Sequence, residues 1–370
     1  MAYIHETKEW PELIWDNARL TKPLSDVRYR QGMLLGQMKG LGFELRVEAN
    51  LKALTTEVVK TSVIEGETLN VEDVRSSIAR RLGMDAGGTS HASRDVEGVV
   101  EMMLNATQKY SEPLTKERLF DWYAALFPTG RSRMRRIRVG AWRTEESDPM
   151  QVVSGPMGNE RVHFEAPVAE RIEHEMSVFL GWFNNPDNID PVLKAGVAHF
   201  WFVTVHPFED GNGRIARAIA DLGLARAEKT SERFYSASAQ IEAERKQYYH
   251  ELESSQRGTV DITLWLEWFL GCLARSIQNA EHDLAEVLRK SKVWDKFNKG
   301  KVNDRQRKVI NLLLDNFEGK LSTSKYARIA KCSEDTALRD IKDLVQRGIL
   351  VQNEGGGRSV SYRVSEPEPA

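Results

Sequence analysis

The run from His206 to Arg217 reads H-P-F-E-D-G-N-G-R-I-A-R and sits between two apolar helical patterns. Before it, Leu193, Val197, Phe200, Trp201 and Thr204 form a buried-type stripe, with Pro191 suited to the first helical turn. After it, Ile215, Ile219, Leu222 and Leu224 continue an apolar helix. The chain is therefore committed to a helix–loop–helix at its centre, and the loop is built for polyphosphate. Gly211 and Gly213 permit positive φ, so successive backbone N–H groups can converge on an anion. The following helix adds its positive N-terminal end. Arg214 and Arg217, three apart on that helix, can reach the same oxyanions. Asp210 suits Mg²⁺, which takes one or two carboxylates plus phosphate oxygens, and His206 suits the removal of a proton from an attacking hydroxyl. Phe208 is expected to anchor the loop by packing, and Glu209 to be solvated.

These twelve residues resemble the signature of the Fic family, H-x-F-x-[D/E]-G-N-G-R-x-x-R, at all eight specified positions. The resemblance implies adenylylation: AMP passes from ATP to a Ser, Thr or Tyr hydroxyl of a target protein. It makes His206 the base and Asp210 the Mg²⁺ ligand. Asn212 and the amides of Gly211 and Gly213 hold the α- and β-phosphates, and Arg214 and Arg217 grip the β/γ end. Upstream, Thr61-Ser-Val-Ile-Glu65-Gly66 resembles the family's inhibitory motif [S/T]-x-x-x-E-[G/N]. A Glu65 carboxylate paired with Arg217 would occupy the guanidinium needed by the γ-phosphate. This N-terminal position corresponds to what the family calls class II.

Further elements are read around that centre. Apolar residues at helical spacing include Met33, Leu34, Met38, Leu51, Leu54, Val58 and Val59. Trp10 and Trp15 are expected as core fillers, and Met102, Met103 and Leu104 as core-facing. Helices are expected over 71–82, 96–110 and 116–127, the last capped by Thr115. Val139 with Trp142, then Gln151, Val152 and Val153, then Arg161, Val162, His163 and Phe164, read as short strands, the last two joined by the turn-forming residues 154–159. In Fic proteins such a hairpin, the flap, docks the target by strand-like pairing; a plain surface hairpin is the alternative. Tyr248, Tyr249 and Leu252 resemble the adenine-pocket segment. His199 is expected to be a hydrogen-bonded packing residue rather than one of a metal pair.

From residue 301 the pattern changes. Val309, Leu312, Leu313 and Phe317 mark one amphipathic helix, 322–330 a second, and 334–347 a third with Ala337, Ile341, Leu344 and Val345 inward. Leu350 to Asn353, Gly355 to Gly357 and Arg358 to Val364 read as a two-stranded wing, so the segment resembles a winged helix-turn-helix. It holds 13 Lys and Arg against 8 Asp and Glu, whereas the whole chain carries −2. DNA is a candidate partner through the third helix and Arg358, but Glu334, Asp335, Asp340 and Asp343 oppose phosphate contact, so a protein-interaction or homodimer module stands beside it.

The expected fold is mainly α: an N-terminal helical region at 1–110 with the inhibitory helix near 56–66, a Fic domain at 111–290, the winged helix at 301–364 and a disordered tail at 365–370. A length of 370 residues with 41% hydrophobic and 29% charged residues fits a soluble protein of two or three domains. Two cysteines, Cys272 and Cys332, argue against a disulfide framework and for a reducing cytoplasm. No apolar run approaches the roughly 20 residues of a membrane span, and the start lacks a signal-peptide core, so no membrane partner is expected. The expected activity is a protein adenylyltransferase using ATP and Mg²⁺ on targets and on itself, autoinhibited by Glu65. Another donor, removal of AMP, or a nucleotide-sensing transcription regulator are the alternatives.

Overall fold

The computed structural model describes residues 2–84, 92–132, 135–147, 149–154, 161–186, 188–298, 302–314, 320–353 and 360–365. The chain forms two compact units, Met1–Ala280 and Glu281–Ala370.

The first unit is helical. Its elements are α1 (Asn17–Lys39), α2 (Phe43–Ile64), α3 (Val71–Arg81), α4 (Arg94–Gln108) and α5 (Lys116–Leu126), followed by a minimal ladder of β1 (Arg131–Ser132) and β2 (Arg135–Arg136). The hairpin of β3 (Gln151–Ser154) and β4 (Arg161–Glu165) comes next. Then follow α6 (Ala169–Asn184), α7 (Pro191–Val205), α8 (Asn212–Glu228), α9 (Ala237–Ala243), α10 (Arg245–Ser255) and the first half of α11 (Thr263–Asn298).

The axis of this unit is α7. Pro191 occupies its first turn, where no N–H is required, and Asp190 caps it by accepting from Val192 N at 2.8 Å. Its buried residues lie on every face, among them Val192, Leu193, Phe200, Trp201, Phe202 and Val205, so α7 is enclosed rather than amphipathic. Each of those large side chains contributes about 1.5–3 kcal/mol by leaving water. Close approach of α8 depends on Gly223, where a Cβ would stand 2.8 Å from Ala195 Cβ. The helices predicted at 71–82, 96–110 and 116–127 form at 71–81, 94–108 and 116–126, with Thr115 capping the last through Arg118 N at 3.2 Å. Met102, Met103 and Leu104 are buried as expected.

Several expectations need correction. Val139 and Trp142 form no strand; the chain turns at Gly140 (φ 74°), and Trp142 is drawn inward onto Phe120 and Phe208, with ring centroids 4.6 and 5.0 Å away. Trp10 and Trp15 are half-buried rather than core: Trp10 donates to Glu175 at 2.8 Å and Trp15 to Asn17 at 3.0 Å, so each indole keeps a wet edge. Met33 faces solvent, because the buried stripe of α1 runs through Val27, Leu34 and Met38.

In the second unit α12 (Asp304–Leu314), α13 (Thr323–Ala330) and α14 (Glu334–Gln346) pack with an antiparallel pair, β5 (Leu350–Gln352) and β6 (Tyr362–Val364). Val309, Ile310, Tyr326, Ile341, Leu344 and Leu350 form its core. Leu312 and Val345, expected inward, are 42% and 37% exposed; the inward positions are Ile310 and Leu344, one residue earlier or two. Asp340 is buried and held by Arg305 at 3.0 Å, so it adds no free charge to the surface of α14. Phe317, the turn at 155–159, Gly355 to Gly357 and Arg358 lie outside the described residues, as does the tail beyond Ser365. Cys272 and Cys332 are both free thiols. Among the described residues no helix is long and apolar enough to cross a membrane.

Candidate active site

Helix α7 ends at His206, which adopts the left-handed conformation (φ 51°, ψ 57°) usually left to glycine or asparagine. His206 Nδ1 lies 3.1 Å from the carbonyl of Val203. A carbonyl only accepts, so Nδ1 carries the proton and Nε2 presents a lone pair. Burial pushes this imidazole down to about 4, helped by the nearby Arg143 cation, so it is neutral near pH 7. Buried Arg143 secures the turn: its backbone N–H donates to Pro207 O at 2.9 Å, Nε to His206 O at 2.9 Å, and Nη2 to Pro167 O.

The loop itself is closed by Asn212. Phe208 N donates to Asn212 Oδ1 at 3.0 Å, and Asn212 Nδ2 donates to Phe208 O at 2.8 Å. The Asn212 side chain is thus turned inward, and only its backbone faces the loop mouth. Phe208 is the expected anchor, fully buried and stacked on Tyr123 at 4.2 Å. Glu209 is not solvated as expected: its side chain is 9% exposed, paired with Arg135 at 3.2 Å and accepting from Arg138 N at 3.0 Å. Asp210 accepts from Gly211 N at 2.6 Å and from the hydroxyl of Ser132. Gly211 (φ 75°) sits over Phe127, which a Cβ would meet at 3.0 Å, so both conformation and space demand glycine.

Both motif arginines are 2% exposed, and an upstream carboxylate sits on each. Arg217 Nε donates to Thr61 Oγ1 at 2.7 Å, and Nη2 donates to Thr61 O at 3.0 Å and to Glu65 Oε1 at 2.7 Å. Arg214 Nη1 donates to Glu67 Oε2 at 2.5 Å, with the guanidinium 5.2 Å above the Phe127 ring. Burial raises the Glu67 carboxyl above its usual range while Arg214 opposes the rise. A Cβ on Gly213 would stand 2.2 Å from Glu65 Oε1, so the Glu65 carboxylate lies on the backbone where the loop turns into α8. Arg217 Nη1 and Arg214 Nε are buried without a hydrogen-bond partner among the described residues.

The end of α2 explains this placement. Gly66 N donates to Val63 O at 2.9 Å and Glu67 N to Ser62 O at 3.0 Å, with Gly66 at φ 81°. That is a Schellman closure, which a residue with a Cβ would strain. It sets Glu65 and Glu67 on either side of Gly66, each facing an arginine.

The adenine-pocket candidates separate. Tyr248 and Leu252 are buried; the Tyr248 hydroxyl lies 3.0 Å from His199 Nε2, and its ring packs by Trp268 at 5.5 Å. His199 is thus the packing histidine expected. Tyr249 is 38% exposed. The hairpin candidates lie in one antiparallel pair, Gln151 opposite Glu165, Val152 opposite Phe164, Val153 opposite Val162 and Ser154 opposite Arg161. His163 is the unopposed residue of a bulge there.

Sequence reasoning missed Glu67, Arg143 and Ser132. Glu67 carried a signal, the spacing Glu65-Gly66-Glu67 across a helix-ending glycine. Arg143 and Ser132 carried none, since their partners lie 63 and 78 residues away.

The structure thus brings together a left-handed histidine, an asparagine-locked glycine loop and two buried arginines at a helix start. Residues 113–224 match the model of the Fic/DOC family, and residues 3–84 match a domain of unknown function, DUF4172. The protein adenylyltransferase Fic of Nematostella vectensis is 31% identical over 113 residues, 30% of this chain and 25% of that protein. The protein of the same name from Drosophila grimshawi is 25% identical over 224 residues, 58% of this chain and 40% of that protein. The chain therefore spans well under half of either relative. Among solved structures, a Fic family protein from Desulfovibrio desulfuricans aligns over 94% of this chain and 97% of its own, at 19% identity and a TM-score of 0.52. A Fic domain containing signaling protein from Bacteroides thetaiotaomicron aligns over 71% and 95%, at 20% identity and a TM-score of 0.50. Both are likenesses of fold.

Proposed function

We propose that this chain is a protein adenylyltransferase that moves AMP from ATP to hydroxyl groups of target proteins and of itself, restrained by its own Glu65. In this reading the acceptor oxygen attacks the α-phosphorus, pyrophosphate leaves, and His206 Nε2 takes the hydroxyl proton. The amides of Gly211, Asn212 and Gly213 cradle phosphate oxygens at the start of α8. Arg214 and Arg217 neutralise charge on the departing pyrophosphate. Tyr249 offers the exposed face for adenine, with Tyr248 and Leu252 as its backing.

The donor set suits Mg²⁺. One half-buried carboxylate, Asp210, faces the loop beside the Ser132 hydroxyl, and among the described residues no three His, Cys, Asp or Glu side chains converge as a protein cage would require. Mg²⁺ commonly keeps its waters and takes phosphate oxygens beside one carboxylate. When bound there it would screen the charge of the phosphates.

The single observation that carries the reading is Glu65 Oε1, 2.7 Å from Arg217 Nη2 and in van der Waals overlap with any side chain Gly213 might have had. A carboxylate held there competes with an anion for the same guanidinium. The β3–β4 hairpin is read as the acceptor dock, and residues 301–364 as a winged helix whose exposed Glu334, Asp335 and Asp343 favour a protein partner over DNA.

The test is transfer of labelled AMP from ATP with Mg²⁺. Glu65→Gly is expected to raise labelling by about 10- to 100-fold, the value of a charged hydrogen bond at this site. Arg217→Ala is expected to stay inactive even when combined with Glu65→Gly, because one arginine serves both inhibitor and nucleotide. Labelling by Glu65→Gly no stronger than wild type would remove the autoinhibition. Labelling from another nucleotide in preference to ATP, or release of AMP from a modified protein, would replace the donor assignment.

A further inference from the structure

We propose that Glu253, on α10, is a positioning residue that sets the pose of the β3–β4 hairpin and through it the affinity for the acceptor; this rests on the reading of the hairpin as the acceptor dock. Glu253 is the hub of a cluster outside the loop site. His163 Nδ1 lies 2.7 Å from Glu253 Oε2, Arg161 Nη2 3.1 Å from Glu253 Oε1, and Arg257 Nη2 3.4 Å from Glu253 Oε1. His163 is the bulged residue of β4, and a bulge re-aims the side chain it carries. Here it aims the imidazole at α10, where Glu253 receives one ring nitrogen while Ser154 of β3 engages the other at 2.6 Å. One carboxylate thus ties both strands, through His163, to the helix that also carries Tyr249 and Leu252.

The backbone of β4 is fastened on the same side. Arg257 Nη2 donates to His163 O at 2.9 Å, and His5 Nε2 to Glu165 O at 2.8 Å. Phe164 is buried edge-on against Tyr3, with ring centroids 5.1 Å apart. The carbonyls of His163 and Glu165 are therefore occupied from that side, which leaves β3 as the freer edge for an added strand. A dock of this kind recognises backbone, so its affinity depends on where β3 is held rather than on its side chains. Glu253 supplies that hold without lining the dock or touching the His206 loop.

The experiment uses the full chain in the Glu65→Gly background, with ATP as donor and the full-length His206→Ala chain as acceptor in trans. Glu253→Ala is expected to speed amide hydrogen exchange in β3 and β4 by about tenfold. It is expected to raise KM for the acceptor about fivefold while kcat and ATP affinity stay within about twofold. His163→Ala should move both readouts in the same direction, and Glu253→Gln, which keeps one acceptor oxygen, should fall between. Unchanged exchange and unchanged KM in Glu253→Ala would overturn the role of Glu253 and leave the hairpin dock standing. Faster exchange with an unchanged KM would overturn acceptor docking at the hairpin, and this role of Glu253 with it. Unaltered ATP affinity shows in the same samples that the variant is folded.

Discussion

The His206–Arg217 loop and the β3–β4 hairpin are built on opposite plans. In the loop the side chains point inward: Asn212 closes the backbone on itself, Phe208 is buried, and Arg214 and Arg217 are 2% exposed. In the described residues of the hairpin the side chains are half-exposed or exposed except that of Phe164, and its position is held by His5, Glu253 and Arg257 from far along the chain. A pocket for a small, highly charged ligand needs groups fixed in place. A surface for strand pairing needs an available edge and a fixed pose.

That contrast is sharpened first at the base. His206→Ala is expected to lower transfer by about 10²-fold or more with ATP affinity nearly intact, as loss of a general base does. A variant transferring at the parent rate would show that the inward-built loop is a binding device only.

A smaller effect is expected from pH. Burial pushes His199 down to about 3 and His206 to about 4, against about 6.5 in the unfolded chain. Between those values the unfolded state binds more protons, so stability is full above about pH 6.5 and is lost as pH falls toward 4. For His199 alone the loss between pH 7 and 5 is about 2 kcal/mol. Urea midpoints of the wild type should therefore drop more steeply over that range than those of His199→Gln. Parallel slopes would mean that this buried ring is charged or wet.

The smallest effect belongs to the hairpin surface. Gln151→Ala and Arg161→Ala should each change stability by less than about 0.5 kcal/mol and leave transfer nearly unchanged, because Arg161 is 71% exposed and the edge of β3 is backbone. A large loss at either position would make the hairpin a side-chain reader, and the contrast with the loop would vanish.

The same contrast decides what was legible in the sequence. The turn of the loop is local: Asn212 and Gly211 act on neighbours within a few residues, so spacing alone marks it, whereas Arg214 and Arg217 find their partners 147 and 152 residues away. The turn that ends α2 was half legible, since Thr61, Glu65 and Gly66 follow a local helix-ending rule while the pairing with Arg217 spans 152 residues. Glu67 escaped because an acidic residue after a helix is ordinary on a surface. Around the hairpin, strand alternation placed β3 and β4 correctly, but nothing local names His5, Glu253 or Arg257 as their supports. Trp142 misled for a related reason: a β-former in a β-like stretch was claimed instead by the aromatic cluster under Phe208. Glu209 was misjudged likewise, its partner Arg138 lying 71 residues earlier in the chain and Arg135 beside it, beyond the reach of any local pattern.

The Schellman closure at Gly66 has a consequence for how the loop can be opened. Thr61, Glu65 and Glu67 all belong to the last turn of α2 or the residues just beyond it, so unwinding that single turn would release both arginines together. Helix termini fray at far lower cost than a core unfolds. On the function proposed above, the hold on both arginines is only as strong as that one helix end, and it would be graded by whatever steadies or melts that turn while the enclosed α7 stays intact.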